Sequence, residues 1–294
     1  MARPERCKRL AKALGVENAL TDINIFNNYI AYHGAVAIAD ALQNNTTLKS
    51  LELRHNDIED DGAKAFADVL QHNNTLTSLN LSNNKISDTG IHAICKSLEF
   101  NKSLKKLDLS HNQISDSGVR SLVHLVETNT TVKDLCINYS DKKISSKSKY
   151  ALIDALKNNK TLSSFTFWND FDSTHIMALA QISQFNQSLS YLSFSGMAPT
   201  LQESRILTEA MKTNYSIGSL NPDPNNELYD SFIQRNRSIQ YHQTRLAKNT
   251  RGFWHAIVSN NGSNSIFYIQ NEFQEIFFIS KNIQKQKMID ENSK

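Results

Sequence analysis

Leu48-Lys-Ser-Leu51-Glu-Leu53-Arg-His-Asn56-Asp-Ile58 returns 28 residues later as Leu76-Thr-Ser-Leu79-Asn-Leu81-Ser-Asn-Asn84-Lys-Ile86. It returns again as Leu104-Lys-Lys-Leu107-Asp-Leu109-Ser-His-Asn112-Gln-Ile114. A weaker copy precedes them (Leu20, Ile23, Ile25, Asn28, Ile30), and a further start lies at Val132, so the period of 28 holds over four steps. Self-similarity at this period marks stacked supersecondary units, none of which can bury its apolar face alone.

Between copies the apolar period lengthens. Ala63, Phe66, Ala67 and Leu70 in one unit, and Ile91, Ile94, Cys95 and Leu98 in the next, recur at helical spacing. Each stretch is preceded by Asp and Gly (Asp61-Gly62, Asp88 and Gly90, Asp116 and Gly118), which suit the turn into a helix. Asn45, Asn73, Asn101 and Asn129 close the helices, where a residue tolerant of the left-handed conformation is expected. Asn45, Asn73, Asn129 and Asn159 also begin Asn-x-Thr sequons. Because the sequons sit at one position of the repeat, they read as turn chemistry and not as glycan acceptors. Each unit is therefore strand, turn, helix, turn.

These motifs resemble the leucine-rich-repeat family, in its ribonuclease-inhibitor-like class of 28-residue, intracellular repeats, over Pro4 to Ser238. The resemblance implies an α/β fold, a right-handed leucine-rich-repeat solenoid or horseshoe with a concave parallel β-sheet and convex helices. It also implies that Asn28, Asn56, Asn84 and Asn112 turn inward and bond loop backbone as a structural ladder. The expected organisation is an N-terminal capping helix over 1–19, a solenoid of about eight units over 20–238, and a C-terminal cap and tail over 239–294.

Regularity decays after Val132. The run Tyr139-Ser-Asp-Lys-Lys143 replaces the fifth ladder Asn, Asp170 the sixth, and Met197 with Pro199 follow in the seventh. Pro222 and Pro224 then end the sheet, since proline cannot donate to a strand ladder. A small helical cap is expected next, with Leu246, Phe253, Trp254 and Ile257 as its packing face. Residues 266–279 fit helix and strand equally well.

Composition narrows the function. No run of 18 apolar residues exists to span a membrane, and the basic N-terminus has no hydrophobic stretch after it. Three cysteines (Cys7, Cys95, Cys136) form neither a disulfide framework nor a zinc site, which points to a reducing, cytoplasmic type of compartment. The net charge of +3 is unevenly placed: residues 1–14 carry +4, residues 239–294 carry +3, and residues 15–238 carry −4. A mildly acidic array does not favour nucleic acid.

No phosphate-binding loop, nucleophile elbow, H-E-x-x-H or C-x-x-C is present, so neither catalysis, cofactor nor metal is expected. The 56 residues after Ser238 contain no cysteine, which leaves no thiol there for a ubiquitin-ligase domain. Cys136 reads as a passive strand residue. Binding is the expected function, and strand alternation writes out the surface. A central row runs Asn24, Glu52, Asn80, Asp108, Cys136, Thr166, Ser193 and Asn221. Flanking rows carry Phe26, Arg54, Ser82, Ser110, Asn138, Trp168 and Ser195 on one side, and Asp22, Ser50, Ser78, Lys106, Asp134, Ser164, Tyr191 and Ser219 on the other. Eight strands at ~4.8 Å spacing give an arc of roughly 34 Å, enough for a protein partner.

The partner-binding candidates are Phe26, Glu52, Arg54, His55, Lys106, Asp108, His111, Trp168 and Tyr191, because aromatics and arginine dominate binding hot spots. Two readings stand for the aromatics: Phe26 under the N-terminal helix and Trp168 filling the gap of a missing ladder Asn, or both open for binding. The leading expectation is a monomeric, non-enzymatic scaffold for a protein partner, with no nucleic acid and no membrane span. Its 32 asparagines and abundant Lys and Ile, set in a repeat class of eukaryotic look, suggest a bacterial effector translocated by a specialised secretion system into a host cytosol. The alternatives are a GTPase-activating regulator of small GTPases and an enzyme inhibitor, although the long acidic tail of the first and the abundant cysteines of the second are absent.

Overall fold

The computed structural model describes residues 20–138, 144–171, 173–196, 200–217 and 219–221, together with 9–12, 14, 234, 236 and 237. Eight strands lie in one parallel sheet in sequential order. They are β1 (Asp22–Asn24), β2 (Ser50–Glu52), β3 (Ser78–Asn80), β4 (Lys106–Asp108), β5 (Asp134–Cys136), β6 (Ser164–Phe171), β7 (Tyr191–Gly196) and β8 (Ser219–Asn221). Seven helices alternate with them: α1 (Ala31–Leu42), α2 (Glu59–Leu70), α3 (Asp88–Ser97), α4 (Asp116–Thr128), α5 (Ser146–Asn158), α6 (Ser173–Phe185) and α7 (Leu201–Lys212). This is the leucine-rich-repeat solenoid expected, with the sheet on the concave side.

The repeat sets the register directly, since Leu51 pairs with Leu79, Leu79 with Leu107 and Leu107 with Leu135. In β2, β3 and β4 the central Leu is buried and its neighbours are open or half-open. Leu53, Leu81 and Leu109, with Ile58, Ile86 and Ile114, close one continuous core against Phe66, Ile91, Ile94 and Leu122 of the helices. Each such side chain contributes roughly 1.5–3 kcal/mol by leaving water. From β6 the pattern loosens: β6 and β7 are longer, and their register shifts between Trp168 and Phe171.

Three sets of polar fasteners tie the units together. In the first, the Asn56 amide accepts from the Asn28 N–H (2.8 Å) and donates to the carbonyls of Ile25 and Leu53 (both 2.9 Å). Asn84 and Asn112 repeat this one and two units on, each fully buried. The expected ladder is thus present at three of its four positions. Asn28 departs from it: its side chain is exposed and donates to the carbonyl of Phe26 (2.9 Å), because β1 has no strand before it among the described residues.

The second set corrects the expectation at the helix ends. Asn45, Asn73, Asn101 and Asn129 are not in the left-handed region; Asn129, for example, is extended at φ −77° and ψ 131°. Each is a clamp instead. Asn101 accepts from the N–H groups of Ser103 (3.0 Å) and Leu104 (2.7 Å) and donates to the carbonyl of Leu70 (2.8 Å) in the preceding unit. Asn159, Asn186, Asn214 and Asn236 continue the series, each donating to a carbonyl of the unit before it. The left-handed residues lie on the other side of the strands, at Asn27, His55, Asn83 and His111 and at neighbouring loop positions.

The third set joins helix starts. Asp60 accepts from the Ser87 N–H (2.8 Å) and hydroxyl (2.6 Å) of the next unit, Asp88 from the same two groups of Ser115, and Asp116 from the Ser145 N–H (2.8 Å). The glycines nearby serve close approach and not turn geometry, since none has a positive φ. A Cβ on Gly90 would stand 2.5 Å from Ile86 Cγ2 and 2.8 Å from Asp60 Oδ1.

β8 ends at Asn221, directly before Pro222. The tail expected over 239–294 lies outside the described residues, as do Tyr139 to Lys143, Met197 and Pro199. Of the N-terminal helix, residues 9–12 and 14 are helical, and Leu14 is buried with its carbonyl accepting from Asn45.

Candidate functional site

The repeat brings Phe26 and Arg54 side by side, because they occupy one position of successive units. The Arg54 guanidinium carbon lies 5.6 Å from the Phe26 ring centre, within cation–π range. The centre of the His55 ring lies 6.4 Å from that of Phe26, with the two planes tilted by 48°. Phe26 is 47% exposed, so it does not lie under the N-terminal helix. Arg54 and His55 are exposed too. An aromatic plate carrying a guanidinium is held open to solvent at one end of the sheet.

Its neighbours are fixed by backbone bonds. Glu52 Oε1 accepts from the Arg54 N–H (3.0 Å), while Oε2 accepts from the Asn80 amide (2.9 Å). Asn24, Asn80 and Asp108 make the same i→i+2 bond to Phe26 (3.0 Å), Ser82 (2.8 Å) and Ser110 (2.9 Å). The central row therefore caps the strand ends before it offers anything to a partner. His55 Nδ1 meets the Asn83 amide, which sets the ring orientation.

Other candidates sit apart. Lys106 pairs with Asp134 at 3.3 Å, an exposed contact of little energetic weight. Asp108 caps Ser110 as above, and His111 is exposed in a left-handed loop position with its N–H donating to the carbonyl of Asn138 (2.6 Å). Tyr191 is 40% exposed on β7, six strand spacings or roughly 29 Å from Phe26. Trp168 lies on β6 opposite Ser195, and its side chain is outside the described residues. Phe26, Arg54, His55 and Glu52 are thus gathered, and the remaining five are not.

Two further corrections concern the rows. Ser82, Ser110 and Ser193 are buried, although strand alternation places them on the open face. Ser110 shows why: its hydroxyl contacts Cys136 Sγ (3.1 Å) and accepts from the Asn138 N–H (3.0 Å), so a short side chain is roofed by its neighbours. Tyr29, half-exposed and three residues from Phe26, is an aromatic that the alternation rule missed because it lies in the loop after the strand. Its only sequence signal is an aromatic where the next units have Asp57 and Lys85.

Neither described thiol is poised for chemistry. Burial pushes Cys136 up to about 11, with Asp108 adding to the effect, and pushes Cys95 up to about 12. Among the described residues no cluster could hold a metal ion, and no helix is long and apolar enough to cross a membrane.

No curated protein matches the chain. Solved structures are similar to the chain, two of them as follows. The first is described as leiomodin-1 actin-binding site 2, at 20% identity and a TM-score of 0.36, covering 85% of this chain and 95% of that one. The other is a tropomodulin C-terminal domain from Caenorhabditis elegans structural genomics, at 18% identity and a TM-score of 0.42, covering 64% and 98%. These superpositions are too loose to carry weight. The family match is firmer: the TMOD/LMOD leucine-rich domain matches residues 5–105 and 63–173, an overlapping pair spanning more than half of the 294 residues. The family expected was leucine-rich repeat, and that holds; the type matched is TMOD/LMOD, and the match does not show the ribonuclease-inhibitor-like class. With its repeat spacing, its parallel sheet and this match, the chain belongs to the TMOD/LMOD leucine-rich domain family.

Proposed function

We propose that this domain is a protein-recognition scaffold without catalytic chemistry, and that it seats its partner on the concave sheet around Phe26, Arg54 and His55. The observation supporting this is the open Phe26 ring with the Arg54 guanidinium over it, beside Glu52, Asn80 and Asp108, whose side chains are held by backbone N–H groups. Exposed aromatics and arginines of this kind are where interface energy concentrates. Actin is one partner to assay: the name of the leiomodin-1 structure mentions an actin-binding site, which selects an assay and is no argument for the site on this chain. Filament co-sedimentation and monomer binding would be measured on the full chain and on Phe26→Ala/Arg54→Ala. At least tenfold weaker binding by the double variant, with an unchanged melting temperature, is the expected result. Equal binding by both proteins would move the site elsewhere.

In its finer form the proposal makes the domain a monomeric effector, delivered from a bacterium into a eukaryotic cytosol. Its support is the Asn-, Lys- and Ile-rich composition. Affinity capture from host-cell lysate tests that form, with the double variant as control. Accelerated GTP hydrolysis by a small GTPase would instead favour the regulator reading.

A further inference from the structure

The eight asparagines of the helix-end series are all followed two residues later by Ser or Thr. Asn101-Lys-Ser103, Asn186-Gln-Ser188, Asn214-Tyr-Ser216 and Asn236-Arg-Ser238 complete the set begun by the four Asn-x-Thr sequons. A glycosylation signal has thus been built into every unit by a structural need. The Asn Oδ1 accepts from the N–H of the Ser or Thr and of the residue after it, at 2.7–3.0 Å in the Asn45, Asn73, Asn101 and Asn129 units alike. The Ser hydroxyl reaches back to the preceding unit, as Ser103 does to the carbonyl of Asn73 (3.2 Å) and Ser188 to that of Asn159 (3.0 Å). Meanwhile the Asn Nδ2, the atom a glycan would occupy, donates to a carbonyl of the preceding unit throughout. Seven of the eight asparagines are buried, and Asn159 is half-buried.

N-glycosylation forms a bond from Nδ2 to the anomeric carbon of a lipid-linked oligosaccharide, with loss of one Nδ2 proton and departure of the lipid pyrophosphate. The transfer acts on extended chain, and the product is bulky and surface-bound. A modified ladder Asn cannot re-enter the seam between two units, where no space for a sugar exists. Since each unit is stable only against its neighbours, one such failure opens the array on both sides. We infer that this domain folds only in a compartment where N-glycosylation does not take place, and that its eight ladder sequons are never glycan acceptors in the folded protein. The inference concerns the array alone and is independent of which partner it binds.

The test expresses the full chain in eukaryotic cells, once in the cytosol and once directed into the endoplasmic reticulum by an appended cleavable signal. A companion chain loses every ladder sequon through its hydroxyl residue, from Thr47→Val to Ser238→Ala, and so keeps all eight asparagines. Ser82→Ala, Ser140→Ala and Ser263→Ala also remove the sequons at Asn80, Asn138 and Asn261 from the companion chain, so that the exposed Asn44-Asn-Thr46 is the acceptor left in it as a control for transfer. The expected result is a protease-resistant core from the cytosolic form, and loss of that core with stepwise gel shifts in the lumenal form. Blocking glycan transfer, or using the companion chain, restores the core. A lumenal wild-type chain that resists protease, with or without sugar at the ladder, would overturn the inference. So would misfolding that persists when transfer is blocked.

Discussion

Replacing Asn101 by Ala tests the clamp that holds the units together. At this site, 1% exposed, the side chain satisfies four backbone groups: the N–H groups of Ser103 and Leu104, and the carbonyls of Leu70 and Asn73 (3.1 Å). Alanine removes all four bonds, although the Asn73 carbonyl keeps the Ser103 hydroxyl (3.2 Å). At about 1 kcal/mol of net stability for each lost bond, the loss is about 4 kcal/mol, and the desolvation of orphaned groups can raise it further. Urea unfolding followed by circular dichroism reads this as a lower midpoint at similar slope. Asn101→Asp refines the test. Its carboxylate keeps both N–H bonds but faces two carbonyls that formerly accepted hydrogen bonds from the Asn101 amide. Burial and those carbonyls raise its folded pKa above the unfolded one. The stability of this variant relative to wild type is therefore retained at low pH and lost as pH rises through the folded value. An alanine variant within about 1 kcal/mol of wild type, or an Asp variant whose deficit is the same at pH 4 and pH 7, would refute the clamp.

Gly90→Ala should destabilise by about 1–3 kcal/mol through overpacking, although Ala is the better helix former by about 1 kcal/mol; thermal unfolding decides which wins. The backbone N–H of Ser145 holds the Asp116 carboxyl below its ordinary value, only partly offset by desolvation. Its contribution is therefore present above the usual carboxylate range and lost as pH falls through the folded value, and Asp116→Asn should flatten that part of the acid-unfolding curve. Cys95 and Cys136 should resist iodoacetamide at pH 7.5 in the folded chain and react fully in urea, which peptide mass mapping measures. Phe26→Ala should leave the melting temperature within a degree or two, because the side chain is 47% exposed and is not among the buried core residues.

The 28-residue period made the leucines, the sheet order and the inward Asn56, Asn84 and Asn112 legible, since a repeat fixes register before any tertiary detail is known. It also made the Phe26–Arg54 adjacency legible, as residues one period apart must pair across neighbouring strands. The helix-end asparagines were harder. A sequence shows Asn at a helix end, but a left-handed cap and an inter-unit clamp call for the same residue there. Only the dihedral angles and the Leu42, Leu70 and Leu98 carbonyls separate them. Alternation likewise told which face Ser82 and Ser110 point toward, not that neighbouring strands and loops would roof them. Tyr29 escaped because a loop residue has no period-two neighbour to assign its side.

The three fastener series do not reach equally far along the chain. Among the described residues the strand-side amides stop at Asn112, the Asp–Ser links stop at Ser145, and only the helix-end clamps go on to Asn236. Pulled from its two ends, the molecule would therefore not yield evenly. It would peel from the C-terminal side one unit at a time, at low force, until the break reached the triply joined units before Val132. There the force would have to climb, giving a stretching trace with a soft stretch followed by a stiff remnant.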